Sequence, residues 1–245
     1  VAGIKSAIAA ALNRLARPLG VAVVPAWQWR ELTVGGVQMF RLGGRDFPYF
    51  HHHYNCGTYA ATGTERTVEL ALADAWLDRA PAGRVVEVGA VTPYYWPGRV
   101  GRVADPADPH PRVTDRVGVE ELDLRGAAVL SLSTFEHIGS GDYGLAPDPP
   151  ALRAAVEKLV READSFLVTV PTGYTPHADA TFLAAPPAGV TAYYLVRHAL
   201  PPYWREAATP DAARRPYGAA APDGGGFSAH AVVVWERGGL LAAPI

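Results

Sequence analysis

Glu87, Gly89, Asp105, Glu136 and His137 each stand at or just past the end of an apolar run, where a ligand can be held and a proton moved. Val85, Val86 and Val88 make the first run, broken only by Glu87 and ended by Gly89. A carboxylate there can accept hydrogen bonds from a ligand or from the next loop. The glycine lets backbone come close to a ligand. Glu136 and His137 follow another run, AAVLSLS at 127–133. Histidine changes charge near neutral pH and suits the work of a base. The plainer reading is a histidine bonded to backbone at a strand-to-helix turn. Glu136 reads as a ligand contact, a partner to the histidine, or a cap.

Asp105 ends the run at 100–104, where an acid is placed to hold ribose hydroxyls in nucleotide-binding sheets. Tyr94, Tyr95 and Trp96 give three consecutive rings, able to stack on a base, cover a cation or pack on neighbouring aromatics. FHHHYN at 50–55 holds three adjacent histidines that cannot all face one way. A divalent metal would need His51, His52 or His53 together with His177 or Asp179, and the spacing fits no zinc pattern. Histidines that bond a ligand or backbone are the preferred reading.

The elements that must carry these residues follow from periodicity. Ile4, Ile8, Leu12 and Leu15 predict a helix stopped by Pro18 and Gly20, docked on the domain or on a partner subunit. A small strand is expected at 21–24. An aromatic apron with a hairpin at Gly35 and Gly36 fills 25–50. A helix is expected from Thr64 to about Leu77. Strands are expected at 84–89, 100–104, 118–122, 127–133, 166–170, 192–196 and 231–235. A helix at 147–163 opens with Pro149 and Pro150 in its first turn. Strands separated by helices predict an α/β chain with a mainly parallel sheet. Residues 1–55 read as an N-terminal helix and apron covering the site, and 56–245 as the main domain.

A hydrophobic fraction of 49% supports a sizeable core, and a net charge of -2 gives no general pull toward nucleic acid. Cys56 is the single cysteine, so no internal disulfide forms and a cytoplasmic setting fits. No apolar run reaches membrane-spanning length.

With these residues placed, the chain resembles the class I S-adenosylmethionine-dependent methyltransferases over about 54–235. VVEVG at 85–89 is similar to the family's first motif, and LSLSTFEHIG at 130–139 to its fourth, the most specific match. SFLVTVPTGY at 165–174 resembles its fifth strand, and YNCGTYAATGTERTVE at 54–69 a lead-in of a branch associated with carbohydrate or secondary-metabolite modification. The chain departs from the pattern in its loop, where only Gly89 remains before Ala90, Val91 and Thr92.

The resemblance implies a Rossmann-like, seven-stranded sheet with helices on both faces, an antiparallel closing strand and an N-terminal extension. It implies that S-adenosylmethionine is held by Glu87, Gly89, Ala90, Tyr95, Asp105, Ser133 and Thr134. The expected activity is O-methylation of a sugar or small-metabolite hydroxyl, with His137 as base aided by Glu136. His53, Tyr54, Tyr174 and His177 are the expected acceptor contacts, since the ring-rich polar loops suit a polyhydroxylated molecule. The expected partner is a small-molecule or glycan acceptor, and the readings leave room for a homodimer. The competing readings are a non-catalytic binding protein of the same fold and a nicotinamide-dependent oxidoreductase, which lacks its GxGxxG fingerprint here.

Overall fold

The run at 85–88 is a strand buried along its whole length, and the sheet grows outward from it. The computed structural model describes residue 12 and residues 39–50, 52–53, 59–60, 64–198, 202–218 and 229–241. The helix expected at 4–15, the strand at 21–24 and the hairpin at Gly35 and Gly36 lie outside them, Leu12 apart.

In chain order the strands are β1 (Met39–Leu42), β2 (Arg45–Pro48), β3 (His52–His53), β4 (Tyr59–Ala60), β5 (Val85–Val88), β6 (Arg102–Ala104), β7 (Ala128–Leu132), β8 (Ser165–Pro171), β9 (Thr191–Arg197), β10 (Trp204–Ala207) and β11 (Ala231–Arg237). The α-helices are α1 (Glu65–Leu77), α2 (Thr92–Tyr95), α3 (Pro149–Glu162) and α4 (Pro176–Phe182). Seven strands form one sheet in the order β10-β9-β11-β8-β7-β5-β6, while β1–β2 and β3–β4 are separate antiparallel pairs. Among the described residues no helix is long and apolar enough to cross a membrane.

The sheet is mixed, which corrects the mainly parallel expectation. Pairs β5–β6, β5–β7 and β7–β8 are parallel, but β8–β11, β9–β11 and β9–β10 are antiparallel. The antiparallel strand β11 does not close an edge; it sits between β8 and β9. β10 pairs along Arg197 to Tyr194 in a Pro- and Arg-containing stretch where no strand is expected. The strand expected at 118–122 is instead a single 3₁₀ turn, Val119–Glu121. Val119 and Leu122 both point into the core at a spacing of three, which suits a turn and not an alternating strand.

Two apolar layers clamp the sheet. On one face, Leu152, Ala155, Val156 and Leu159 of α3 and Phe182 of α4 meet Val129, Phe166, Val168, Val233 and Trp235. On the other, Val68, Leu72 and Trp76 of α1 join Phe40, Leu42, Phe47 and Tyr49 of the β1–β2 hairpin over Leu130, Leu132, Val232 and Val234. Successive residues of β7 and β11 thus serve opposite layers, as the pleat requires. Buried strands covered on both faces read as near-continuous apolar runs. Residues 65, 67–73 and 76 of α1 are buried, so the helix is enclosed well beyond one stripe. Its charged residues in the first turns are therefore interior groups.

Candidate active site

The carboxyl ends of β5, β6 and β7 open into a cleft of about 890 Å³, a size that suits a cofactor-sized ligand. Its lining includes Gly89, Ala90, Tyr95, Asp105, Ser133, Thr134 and His137, so seven of the expected site residues meet there. The lining also includes Arg66 and Tyr143, which the sequence reading does not single out.

Glu87 is fully buried and does not line the cleft. It organises the loop from beneath: Val91 N–H and Thr92 N–H donate to its Oε1 at 3.0 and 2.7 Å, and the Thr92 hydroxyl donates to Oε2. Burial pushes this carboxyl up to about 7, against the pull of those donors. The loop therefore runs straight into α2, whose second residue is Pro93. The one remaining glycine of the loop suffices because the tight turn is made there. Gly89 has φ +89°, and its N–H donates to Ala104 O at 2.8 Å, tying the ends of β5 and β6 together.

A side chain at Gly89 has no room. A Cβ would meet Thr134 Oγ1 at 2.0 Å, so β5's loop and the loop after β7 touch at this point. Gly89→Val is expected to lower stability and ligand binding together. The left-handed backbone alone costs about 1–2 kcal/mol for a residue with Cβ. Urea unfolding of Gly89→Val with an unchanged midpoint would rule out this close approach.

Asp105 folds the next loop around itself. Its Oδ1 accepts from Ala107 N–H and Asp108 N–H at 2.8 and 2.7 Å, and its Oδ2 accepts from Ala90 N–H at 3.1 Å. Oδ2 keeps lone-pair capacity on the cleft side. The neighbouring rings divide their tasks. Tyr94 and Tyr95 line the cleft, and the Tyr94 hydroxyl donates to Asp108. Trp96 instead packs edge-on against Phe50 at 5.0 Å and beneath Arg99, the packing alternative.

The loop after β7 carries Ser133, Thr134 and His137 to the cleft wall. Ser133 and Tyr143 are the described non-glycine residues with positive φ, 44° and 55°, and both line the cleft. Backbone held in this sparsely populated region is found where surrounding contacts over-determine it. For Ser133 those contacts are its N–H to Thr169 O at 3.0 Å and its hydroxyl to Glu69 Oε1 at 2.6 Å. Glu69 also accepts from Thr169 Oγ1 at 2.7 Å and pairs with Arg66 at 3.0 Å.

His137 follows in a 3₁₀ turn, Phe135–His137, with its side chain one-fifth exposed. Its Nδ1 lies 2.8 Å from Asp142 Oδ2. That same oxygen accepts from Ser140 Oγ at 2.7 Å and the Tyr174 hydroxyl at 2.8 Å. These bonds, that from His137 foremost, hold the Asp142 carboxyl down to about 2. A carboxylate on Nδ1 fixes the ring's orientation and leaves Nε2 as the nitrogen free to take a proton. Glu136 is buried behind it, with Oε1 3.7 Å from Nε2, beyond hydrogen-bond reach. Desolvation raises the Glu136 carboxyl well above the ordinary range.

The expected acceptor contacts divide. Tyr174 packs on His137 at 4.6 Å, so it reaches the site through the ring and through Asp142. His177 is within 3.2 Å of Ile138 O through Nε2, and Asp179 accepts from Gly173 N–H at 2.9 Å, so both are engaged with backbone. His51 and Tyr54 lie outside the described residues, as does the side chain of His53. Among the described residues no cluster of three or more His, Cys, Asp or Glu is arranged to hold a metal.

Asp142 was missed by the sequence reading because it reaches His137 only after the chain doubles back through Gly139 and Gly141, both at positive φ. A histidine followed five residues later by an acid across paired glycines is the signal that was available. Arg66 and Glu69 look like ordinary helix-surface charges until the helix is seen to be enclosed. No protein-family model matches the chain, and no curated protein is significantly similar to it.

Proposed function

We propose that the cleft binds S-adenosylmethionine and that the chain methylates a hydroxyl of a sugar or other small polar molecule. The observation that carries the reading is the His137–Asp142 pair, set at the carboxyl end of a central parallel strand beside a cofactor-sized cleft. Ligands of open α/β sheets bind in that position.

The residues present suit this cofactor. The glycine turn at Gly89 brings backbone to the cleft wall, Asp105 Oδ2 can accept from ribose hydroxyls, and Arg66 at the cleft suits a carboxylate. When bound, the cofactor supplies an electrophilic methyl group on a sulfonium sulfur, which departs as a neutral thioether. The protein's part is orientation and proton removal. Nε2 of His137 takes the acceptor's proton, and Asp142 steadies the imidazolium that results. Ser133 and Thr134 line the cleft beside His137, where they would contact the cofactor.

Calorimetry of the full chain with S-adenosylmethionine, S-adenosylhomocysteine and NAD tests the reading. Micromolar binding of the first two and none of NAD is expected. Binding of NAD alone would favour the oxidoreductase, and binding of none of the three a scaffold that keeps only the fold.

A further inference from the structure

Behind His137 the site holds more acid than base. Glu65, Glu69 and Glu136 are all buried, and the charge of Arg66 bears on each. Two of the three carboxyls are engaged. Glu69 takes the Ser133 and Thr169 hydroxyls on Oε1, its Oε2 forms an ion pair with Arg66 at 3.0 Å, and Glu65 accepts from Ala229 N–H at 3.2 Å. Glu136 is different. It is 1% exposed, and among the described residues its Oε2 has no hydrogen-bond partner. Its other oxygen lies beside Nε2 of His137, the nitrogen that meets the acceptor.

Aromatic rings gather on the His137 ring, whose Nε2 lies 3.7 Å from this carboxyl. Tyr143 and Tyr174 pack on the His137 ring at 5.1 and 4.6 Å, and Tyr217 packs on Tyr174 at 5.0 Å. The charge of Glu136 bears on both Tyr143 and Tyr217. A buried carboxyl beside a cluster of aromatic rings is chemistry that suits an ammonium group. A neutral polyol could donate one hydroxyl to Oε2, but it would leave the rings unused.

We propose that the acceptor is an amine-bearing polar molecule, whose ammonium group sits between Glu136 and the rings of Tyr143, Tyr174 and Tyr217 while its hydroxyl meets His137. The proposal rests on the methyl-transfer reading and names its substrate class. Glu136 keeps its proton in the dry site until a cation arrives. Ammonium binding then ionises it, and one proton goes to solvent.

The test titrates the full chain, saturated with S-adenosylhomocysteine, with glucosamine, galactosamine and mannosamine, with their N-acetyl forms, and with the parent hexoses. Repeating each titration in buffers of different ionisation enthalpy counts protons. At least one amine should bind about tenfold tighter than its neutral counterparts, with net proton release. Glu136→Gln should abolish both the preference and the release while leaving S-adenosylhomocysteine affinity unchanged. Equal binding of neutral sugars, no binding of any amine, or a preference that survives in Glu136→Gln overturns the proposal. Loss of S-adenosylhomocysteine affinity in Glu136→Gln also overturns it, because the carboxyl would then serve the cofactor. If Glu136→Gln does not fold, Tyr217→Leu, at a partly exposed ring, is the second variant and should weaken the amine preference. Failure of S-adenosylhomocysteine to bind the wild-type chain strikes the methyl-transfer reading instead, and amine titration of the bare protein then decides the cage alone.

Discussion

His137→Ala is expected to slow turnover by roughly 10²–10⁴-fold while leaving cofactor affinity nearly unchanged. The ring's contacts include Asp142, Tyr143 and Tyr174, with Glu136 at 3.7 Å. The fall should therefore appear in kcat, with the dissociation constant for S-adenosylmethionine preserved. His137→Gln separates two roles, since an amide keeps a hydrogen bond to Asp142 but has no basic nitrogen. If the Gln variant keeps most of its activity, His137 only positions the acceptor and the base lies elsewhere. Asp142→Asn should act through the ring, because an amide can donate to Nδ1 and favour the wrong tautomer. Its activity should drop with little change in the acceptor's KM. If instead His137→Ala unfolds, the turn at 135–137 needs the ring and the histidine is structural.

Stability should fall as pH rises from about 5 to about 8, by on the order of several kcal/mol. Glu65 and Glu87 are buried, and burial lifts them to about 6 and about 7; burial lifts Glu136 well above its ordinary value too. A carboxyl whose folded pKa lies above its unfolded value binds more protons folded than unfolded in the interval between them. Its contribution is complete below the unfolded value, near 4.5, and is lost as pH rises through the folded value. Asp142 and Asp123 act oppositely, each held down to about 2, so their contributions vanish only in stronger acid. Glu87→Gln keeps an oxygen for Val91 and Thr92 while removing the titration. It should match wild type near pH 5 and exceed it near pH 8. Urea midpoints across this range check the slope, and a flat or rising profile would mean that these carboxyls ionise freely in the folded chain.

The parts legible in the sequence are those whose burial is written in local period. The apolar runs at Val85–Val88, Ala128–Leu132 and Ala231–Arg237 became strands, and Pro149 with Pro150 opened α3 as expected. Strand direction was not legible, because a buried run reads alike whether its neighbour is parallel or antiparallel. β10 was hidden because only Trp204 of its four residues is fully buried, leaving no alternation to read. In the site, Gly89, Asp105 and His137 announced themselves by standing at strand ends. Glu87 is legible as an acceptor at a strand end, and of the two expected sources of donors, a ligand or the next loop, the structure shows the loop. Asp142 depended on a reversal through left-handed glycines, and Glu65 and Glu69 on a hairpin and sheet enclosing α1 from residues far away in sequence.

The interior position of β11 has a consequence for how the chain is made. The β9–β10 pair reaches the parallel strands of the sheet only through β11, which is translated after all of them. Until 231–237 leave the ribosome, the nascent chain holds two half-sheets, each with an apolar edge at β8 or β9 and no partner for it. Such edges invite pairing with other chains. A stop codon before β11 should therefore yield aggregates rather than a smaller folded core, and nascent chains should depend on chaperones until synthesis passes this strand.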